Sequence, residues 1–266
     1  MKRIAIVPVI IASFFFYAQA RAATLGTDTV WAGTVKVSGR LFVKQGVTLK
    51  IEPGTVVKFV PAKPDDTGLA QCGMLILGTI IADGHPGARI RFTSAAQKPR
   101  PGDWGEIQII RSKGSSFKYC DFRYGGWGLH IHHTKIKVSD CTFTRNRFGG
   151  IRGKGGKVEI ADCMLTGMNI GIRYWKGAPY IHNSDITDDR TGIFWRQGCE
   201  GARIKYNNFQ GNRDYDIKLG EGQAGDIDAS LNWWGDGRAK LFDRHRESYI
   251  GKVITEPALS ARVKIN

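Results

Sequence analysis

Along the second half of the chain an apolar residue returns about every 21 to 24 positions, at Phe117, Val138, Ile160, Ile181, Ile204 and Ile227. Three residues further on stands a small side chain, Cys120, Cys141, Cys163, Ser184, Asn207 or Ser230. Five further on stands an apolar one in most copies: Phe122, Phe143, Leu165, Ile186 and Phe209. Before each copy polar and apolar residues alternate, as in Lys135-Ile136-Lys137-Val138, the period of a strand with one buried face. Between Val138 and Cys141 the parity breaks, and a parity break in an extended chain is a corner. The residues at it, Tyr119, Asp140, Asp162, Asn183, Tyr206 and Ala229, are half Asp or Asn, which tolerate the left-handed backbone of a tight bend. A second corner is predicted at Gly125, Asn146, Met168, Asp189 and Asn212. A third strand follows it, with Leu129, Ile151, Ile172, Ile193 and Ile217 pointing inward. Three strands and three corners in so short a period make one coil of a solenoid, because each copy buries its apolar face only by stacking on the next. The expected fold is all-β, a single-stranded parallel β-helix, right-handed as parallel crossovers are.

The first half repeats more loosely. Gly39-Arg40-Leu41-Phe42-Val43 leading to Val57-Lys58-Phe59 matches Gly73-Met74-Leu75-Ile76-Leu77 leading to Ile90-Arg91-Phe92, which implies two longer coils. Each ends in a Pro-containing insertion, Pro61 to Leu69 and Ala95 to Asp103; since both leave the same point of the coil, they should lie side by side at the surface. At the N-terminus Lys2 and Arg3 precede an apolar run from Ile4 to Tyr17 and small-residue cleavage options at Ala18-Gln19-Ala20 or Ala20-Arg21-Ala22, the pattern of a secretory signal peptide. The run falls short of the ~20 residues of a spanning helix, so no membrane span is expected in the mature chain. The predicted organisation is a signal helix over 1–22, the β-helix over 23–235 and a segment of the same domain over 236–266 that caps the last coil.

The formal net charge of +15 falls to about +13 once Lys2 and Arg3 leave with the leader, or about +12 where cleavage after Ala22 also removes Arg21. Such a balance favours acidic partners, and for an exported protein, periplasmic or extracellular, these are an anionic polysaccharide or a cell-envelope component rather than nucleic acid. The five cysteines cannot all pair within one chain. Cys120, Cys141 and Cys163 share a repeat position and should stack about 4.8 Å apart as a column of small buried side chains. Neighbours at that spacing come within reach of a disulfide, so pairing stays open. No CxxC spacing points to a thiolate metal site.

The run Val47-Thr48-Leu49-Lys50-Ile51-Glu52-Pro53-Gly54-Thr55-Val56-Val57-Lys58-Phe59, then Ile90-Arg91-Phe92-Thr93-Ser94, Trp104-Gly105, the repeats and the closing Asn232-Trp233-Trp234-Gly235 resemble bacterial right-handed parallel β-helix repeat proteins of the pectate-lyase-like superfamily. The resemblance spans nearly all of the mature chain and implies the fold. The superfamily holds lyases, polygalacturonases, epimerases and adhesins, so fold analogy does not choose a function.

On the third strand the residues flanking the inward anchors form two outward rows. One is His130, Arg152, Arg173, Phe194 and Lys218; the other is His132, Lys154, Trp175 and Arg196. Guanidinium groups bind carboxylates or sulfates in forked pairs, and aromatic faces stack on sugar rings. In sugar-active β-helices the resemblance implies that the groove lies on this face. These nine residues are the candidate ligand-binding site, and no catalytic residue is assigned. Asp188-Asp189 is similar to the paired aspartates of polygalacturonases, but Asp189 shares its register with corner residues, as do Asp140 and Asp162. Asp121 and Asp185 sit three coils apart, roughly 14 Å, too far for a carboxylate pair. Asp214 and Asp216 are the acids expected near the ladder. His130, His132 and His133 could meet a metal from one side of a strand, but no methionine or cysteine run accompanies them, and neither a metal nor a cofactor is predicted. The expected function is non-catalytic binding of an acidic polysaccharide or cell-envelope partner. The alternatives are a polysaccharide lyase or glycoside hydrolase acting on uronic-acid polymers, and a structural or surface-assembly scaffold with a protein partner.

Overall fold

The computed structural model describes residues 23–235 and 237–265. The signal peptide predicted over 1–22 lies outside them. Among the described residues the regular elements are all strands, and no helix is long and apolar enough to cross a membrane. They form three parallel sheets along one axis, two of ten strands and one of eight. Each coil visits them in turn. Arg40–Val43, Thr48–Ile51 and Val56–Phe59 form one coil, here named sheets A, B and C in that order, and Gly73–Ile76, Thr79–Asp83 and Ile90–Ser94 the next. An additional coil, Thr24–Leu25, Thr29–Trp31 and Thr34–Val37, precedes the first one read from the sequence.

The interior is three apolar columns, one behind each sheet. Behind sheet C, Phe92, Phe122, Phe143, Leu165, Ile186 and Phe209 fall in register, and the first three rings stack at 4.9 and 4.6 Å. Behind sheet B stand Phe117, Val138, Ile160, Ile181 and Ile204. All are essentially inaccessible, and each buried side chain of this size contributes roughly 1.5–3 kcal/mol. Sheet A adds Ile109, Ile131, Gly153, Tyr174, Trp195 and Leu219. Gly153 is the gap in that column: a Cβ there would run into the Tyr174 ring, whose hydroxyl donates to the Gly155 carbonyl at 2.6 Å.

The B-to-C corner shows why the repeat needs a small residue. Tyr119, Asp140, Asp162, Asn183 and Tyr206 have φ between 49° and 59°, as the parity break requires. The residue after each sends its side chain back to the carbonyl two positions before it. Cys141 Sγ donates to Ser139 O at 3.0 Å, Cys163 Sγ to Ala161 O at 3.1 Å, Ser184 Oγ to His182 O at 2.9 Å and Asn207 Nδ2 to Lys205 O at 3.0 Å. The cysteines are unpaired and buried, and the column read as small hydrophobes is a column of corner donors. The last copy slips against the sequence reading: Arg203 pairs with Asp228, so Leu231 (φ 59°) takes the corner and Asn232, not Ser230, the donor position.

The C-to-A corner also moves by one residue. The left-handed positions are Tyr124, Arg145, Gly167, Asp188 and Gly211. Three of the residues assigned there by pattern, Asn146, Asp189 and Asn212, point inward as a polar ladder. Asn146 Oδ1 accepts from Gly125 N (2.8 Å), Asp189 Oδ1 from Met168 N (2.7 Å) and Asn212 Oδ1 from Asp189 N (3.1 Å). The Asn146 and Asn212 amides donate across the coil to Phe122 O and Ile186 O. The two insertions are joined by Ala62 N to Asp103 O at 3.1 Å, and Leu69 fills the space where a Gly126 side chain would stand. After Gly235, Leu241–Phe242 adds to sheet A and Val253–Ile254 to sheet B, and Val263 exchanges two 2.8 Å hydrogen bonds with Asn208 at the end of sheet C.

Asp189 is the one acid in the amide ladder. Its Oδ2 is buried without a partner where Asn146 and Asn212 carry an N–H, and burial pushes its pKa up to about 8. The raised folded pKa means that its contribution is complete below the ordinary value of 3.8 and is lost as pH climbs from there through about 8. Asp189→Asn supplies the missing donor. It should raise Tm at pH 8 by at least ~2 °C, the shift that ~1 kcal/mol gives a domain of this size, and flatten the decline of Tm between pH 4 and 8. Calorimetric scans across that range check it, and a lower Tm for the variant at pH 8 would refute the neutral-acid assignment.

Candidate functional site

Sheet A carries the candidate site because parallel, in-register pairing superposes one outward position on the next. His130, Arg152, Arg173, Phe194 and Lys218 pair in sequence, with Gln108 before them and Phe242 after. In the second row His132, Lys154 and Trp175 pair likewise, and Arg196 follows Trp195, the partner of Tyr174. Every one of the nine is at least partly exposed, while the residues between them are buried. The nine residues therefore share one face, at a spacing of about 4.8 Å per coil.

They do not share one chemistry. The end that holds His130 and Arg152 is closed by Glu106, a residue the sequence reading passed over. Glu106 is only 6% exposed. Arg152 forks onto it, Nε to Oε2 at 2.8 Å and Nη2 to Oε1 at 2.7 Å, and the His130 Nδ1–H donates to Oε1 at 2.7 Å. Burial pushes the Glu106 carboxyl pKa up, but the His130 and Arg152 bonds outweigh it and hold it below the usual range. The His132 ring stands edge-on to His130 at 4.2 Å, and burial, then the charges of His130 and Lys154, lower its pKa to about 4. Above that pH His132 is neutral. His133 turns away at the A-to-B corner with φ 48°, and no three metal-ligating side chains converge among the described residues.

From Lys154 onward the face is different. Lys154 lies over the Trp175 ring at 4.1 Å from the preceding coil and Arg196 at 5.1 Å from the following one. Lys176, a corner residue with φ 52°, adds a third cation at 5.7 Å. Phe194 is placed the same way, between Arg173 at 5.8 Å and Lys218 at 5.7 Å. Each of these aromatics therefore has a cation over its ring from each neighbouring coil. Trp175 is further fixed by Nε1–H to Gln197 Oε1 at 3.0 Å.

Lys154, Arg173, Lys176, Arg196 and Lys218 have no carboxylate partner among the described residues. Burial, then the charges of Arg196 and Arg152, lower the pKa of the Arg173 guanidinium. The other two sheets pair some of their cations with acids. On sheet B, Lys137 meets Glu159 at 2.8 Å and Lys205 meets Asp228 at 2.6 Å; on sheet C, Arg89 meets Asp121 at 2.8 Å and Arg262 meets Asp185 at 3.0 Å. The acids expected beside the ladder are engaged elsewhere. Asp214 pairs with Arg190 and Arg213, and buried Asp216 accepts from Asn212 and Lys240 N.

Compared with known proteins, residues 105–232 match the family described as "Right handed beta helix region". No curated protein matches the chain, and no solved structure does.

The geometry divides the ladder into a structural end and an unpaired end. Glu106→Ala strands Arg152 and His130 and should cost about 3 kcal/mol, as breaking a buried ion pair does. Arg196→Ala and Lys154→Ala remove an exposed and a half-buried cation from a repulsive cluster and should leave stability within ~0.5 kcal/mol. Denaturant melts of the three variants check the division; equal losses would show that the whole ladder is structural.

Proposed function

As a right-handed β-helix repeat protein, the chain presents a partner with one long in-register face, and we propose that it is an exported binding protein which holds an acidic polysaccharide or another anionic cell-envelope polymer on sheet A, without chemistry of its own. The observation that carries this reading is the run of five cations, Lys154, Arg173, Lys176, Arg196 and Lys218, on adjacent coils without an acidic partner among the described residues. A polymer lying along the axis meets a new cation every one or two coils, about 5–10 Å. Such a match gains affinity from many weak contacts and loses it as salt screens them.

A second reading draws on Glu106 and His130. A buried carboxylate that orients an imidazole is the arrangement a general base requires. In this chain the same carboxylate is also clamped by Arg152, which favours a structural role. A lyase or hydrolase would release unsaturated or reducing ends from the bound polymer.

Titration of the protein with polygalacturonate and alginate at low ionic strength tests the proposal. Binding should weaken at least ~10-fold between 20 and 200 mM salt, and at least ~10-fold in Arg173→Ala/Arg196→Ala at fixed salt, with intact polymer recovered. No binding to any anionic polymer would end this reading, and new chain ends in the recovered polymer would replace it with the enzymatic one. Export is checked in the same preparation: the protein should be recovered from the periplasm or medium as a chain beginning after Ala20 or Ala22.

A further inference from the structure

The unpaired cations of sheet A change row from one coil to the next. On four successive strands they are Lys154 in the second row, Arg173 in the first, Arg196 in the second and Lys218 in the first. Arg152 shares a strand with Lys154, but Glu106 pairs with it. Lys176 follows Arg173 at the corner and lies outside both rows. Where a strand has its cation in one row, a ring fills the other: Trp175 beside Arg173, and Phe194 beside Arg196. Each ring has a cation of its own row on either side, Lys154 and Arg196 at 4.1 and 5.1 Å from Trp175, Arg173 and Lys218 at 5.8 and 5.7 Å from Phe194. The rings therefore keep the charges of one row apart. The four form a zigzag with one charge per coil of about 4.8 Å, stepping sideways each time between positions about 6.6 Å apart on the strand.

A zigzag of this kind sets a requirement on the symmetry of the ligand. Charges that change edge at every unit belong to a ribbon with a two-fold screw, one anionic group per unit and a unit close to one coil in length. An extended acidic peptide also alternates its side chains, but it advances only about 3.3 Å per residue and loses the register of the coils within three residues. A polyuronate linked through equatorial bonds at both ends of each sugar meets both conditions. Its sugars turn over at every linkage, so successive carboxylates leave from opposite edges of a flat ribbon. A diaxially linked polyuronate carries the same charge per sugar on a buckled chain with a shorter repeat. We infer that Lys154, Arg173, Arg196 and Lys218 select a flat two-fold polyuronate, with an acid on every sugar, laid along the solenoid axis. The inference rests on the reading of sheet A as a polyanion-binding face and adds the chain geometry that face prefers. Each carboxylate meets one cation, and Arg173 and Arg196 can receive theirs in a guanidinium fork.

Oligomers of β-1,4-mannuronate and α-1,4-guluronate isolate this choice, because the two sugars are epimers of equal charge and the chains differ in linkage geometry, diequatorial against diaxial. Titrated at equal length and ionic strength in the absence of divalent cations, oligomannuronate should bind ~10-fold or more tightly. The exchange Phe194→Arg/Arg196→Phe moves one charge to the other row of the same strand and conserves net charge; it should bring the two affinities within ~2-fold of each other. Arg196→Ala should likewise weaken oligomannuronate more than oligoguluronate, whereas Lys176→Ala should weaken both alike. Melting curves confirm that each variant is folded, and Arg196→Ala against Lys176→Ala decides the matter if the exchange variant is not. Equal or tighter binding of oligoguluronate, binding of some other polyanion but neither oligomer, or a mannuronate preference that survives Arg196→Ala overturns the two-fold selection while the polyanion-binding face stands. Failure of every anionic polymer to bind removes the face itself.

Discussion

Backbone hydrogen bonds run from coil to coil in this molecule, and that fact governs every side chain in it. Parallel pairing without slip places each residue directly over its counterpart one period later, about 4.8 Å away. A position is therefore tolerable only if the side chain can live beside a near-copy of itself. Apolar residues meet the condition readily, and so do flat rings, as the stack of Phe92, Phe122 and Phe143 shows. Amides meet it because each donates and accepts. Asn207 and Asn232 illustrate this, with the Asn207 N–H and Nδ2 both directed at Asn232 Oδ1. A carboxylate does not meet it, and Asp189 bears the consequence as a buried oxygen without a donor.

The same constraint explains why cysteine, serine and asparagine alternate at one corner position. A left-handed residue tightens the bend and leaves a carbonyl two positions before the next residue facing inward. The carbonyl needs a donor, and the column allows only a short one. Thiol, hydroxyl and amide are three solutions to one local problem, and burial, which raises the pKa of the Cys141 and Cys163 thiols, keeps them in the donating form.

Most of the fold was legible in the sequence for this reason: a structure that repeats its contacts must repeat its residue types. Five of six B-to-C corners and the outward rows of sheet A follow from parity alone. The failures are equally physical. At the C-terminal copy Ile227 imitates an anchor, but the strand register puts Ala229 at that place. Asn146 and Asn212 read as corner residues because asparagine suits a left-handed turn, while here the residue before each, Arg145 or Gly211, makes the turn and the amide serves the ladder. Glu106 was hidden because it belongs to the loosely repeating half and stands just before its strand, so no copy of it recurs to give it away. Its parity was available: two residues ahead of Gln108, which pairs with His130, it faces outward like the ladder. Lys176 was missed because it sits on a corner, where alternation carries no information.

Charge is the hardest side chain to place in such a stack, because like charges directly opposite destabilise a sheet. Sheet A contains three places where cations would meet, the first being His130 opposite Arg152, where Glu106 accepts from both. Arg152 stands opposite Arg173, and Glu106 neutralises Arg152. His132 stands opposite Lys154 and is held neutral. Beyond these, aromatic rings separate the cations: Trp175 parts Lys154 from Arg196, and Phe194 parts Arg173 from Lys218, one row offset from the other by a coil. The ring faces attract the cations on either side, so the spacers also hold the charged groups in position. What they do not supply is negative charge. The arrangement lowers the cost of crowding cations until the sheet tolerates them and leaves their attraction for an anion undiminished, so on this face the interval between charges, set by the coil, decides what fits.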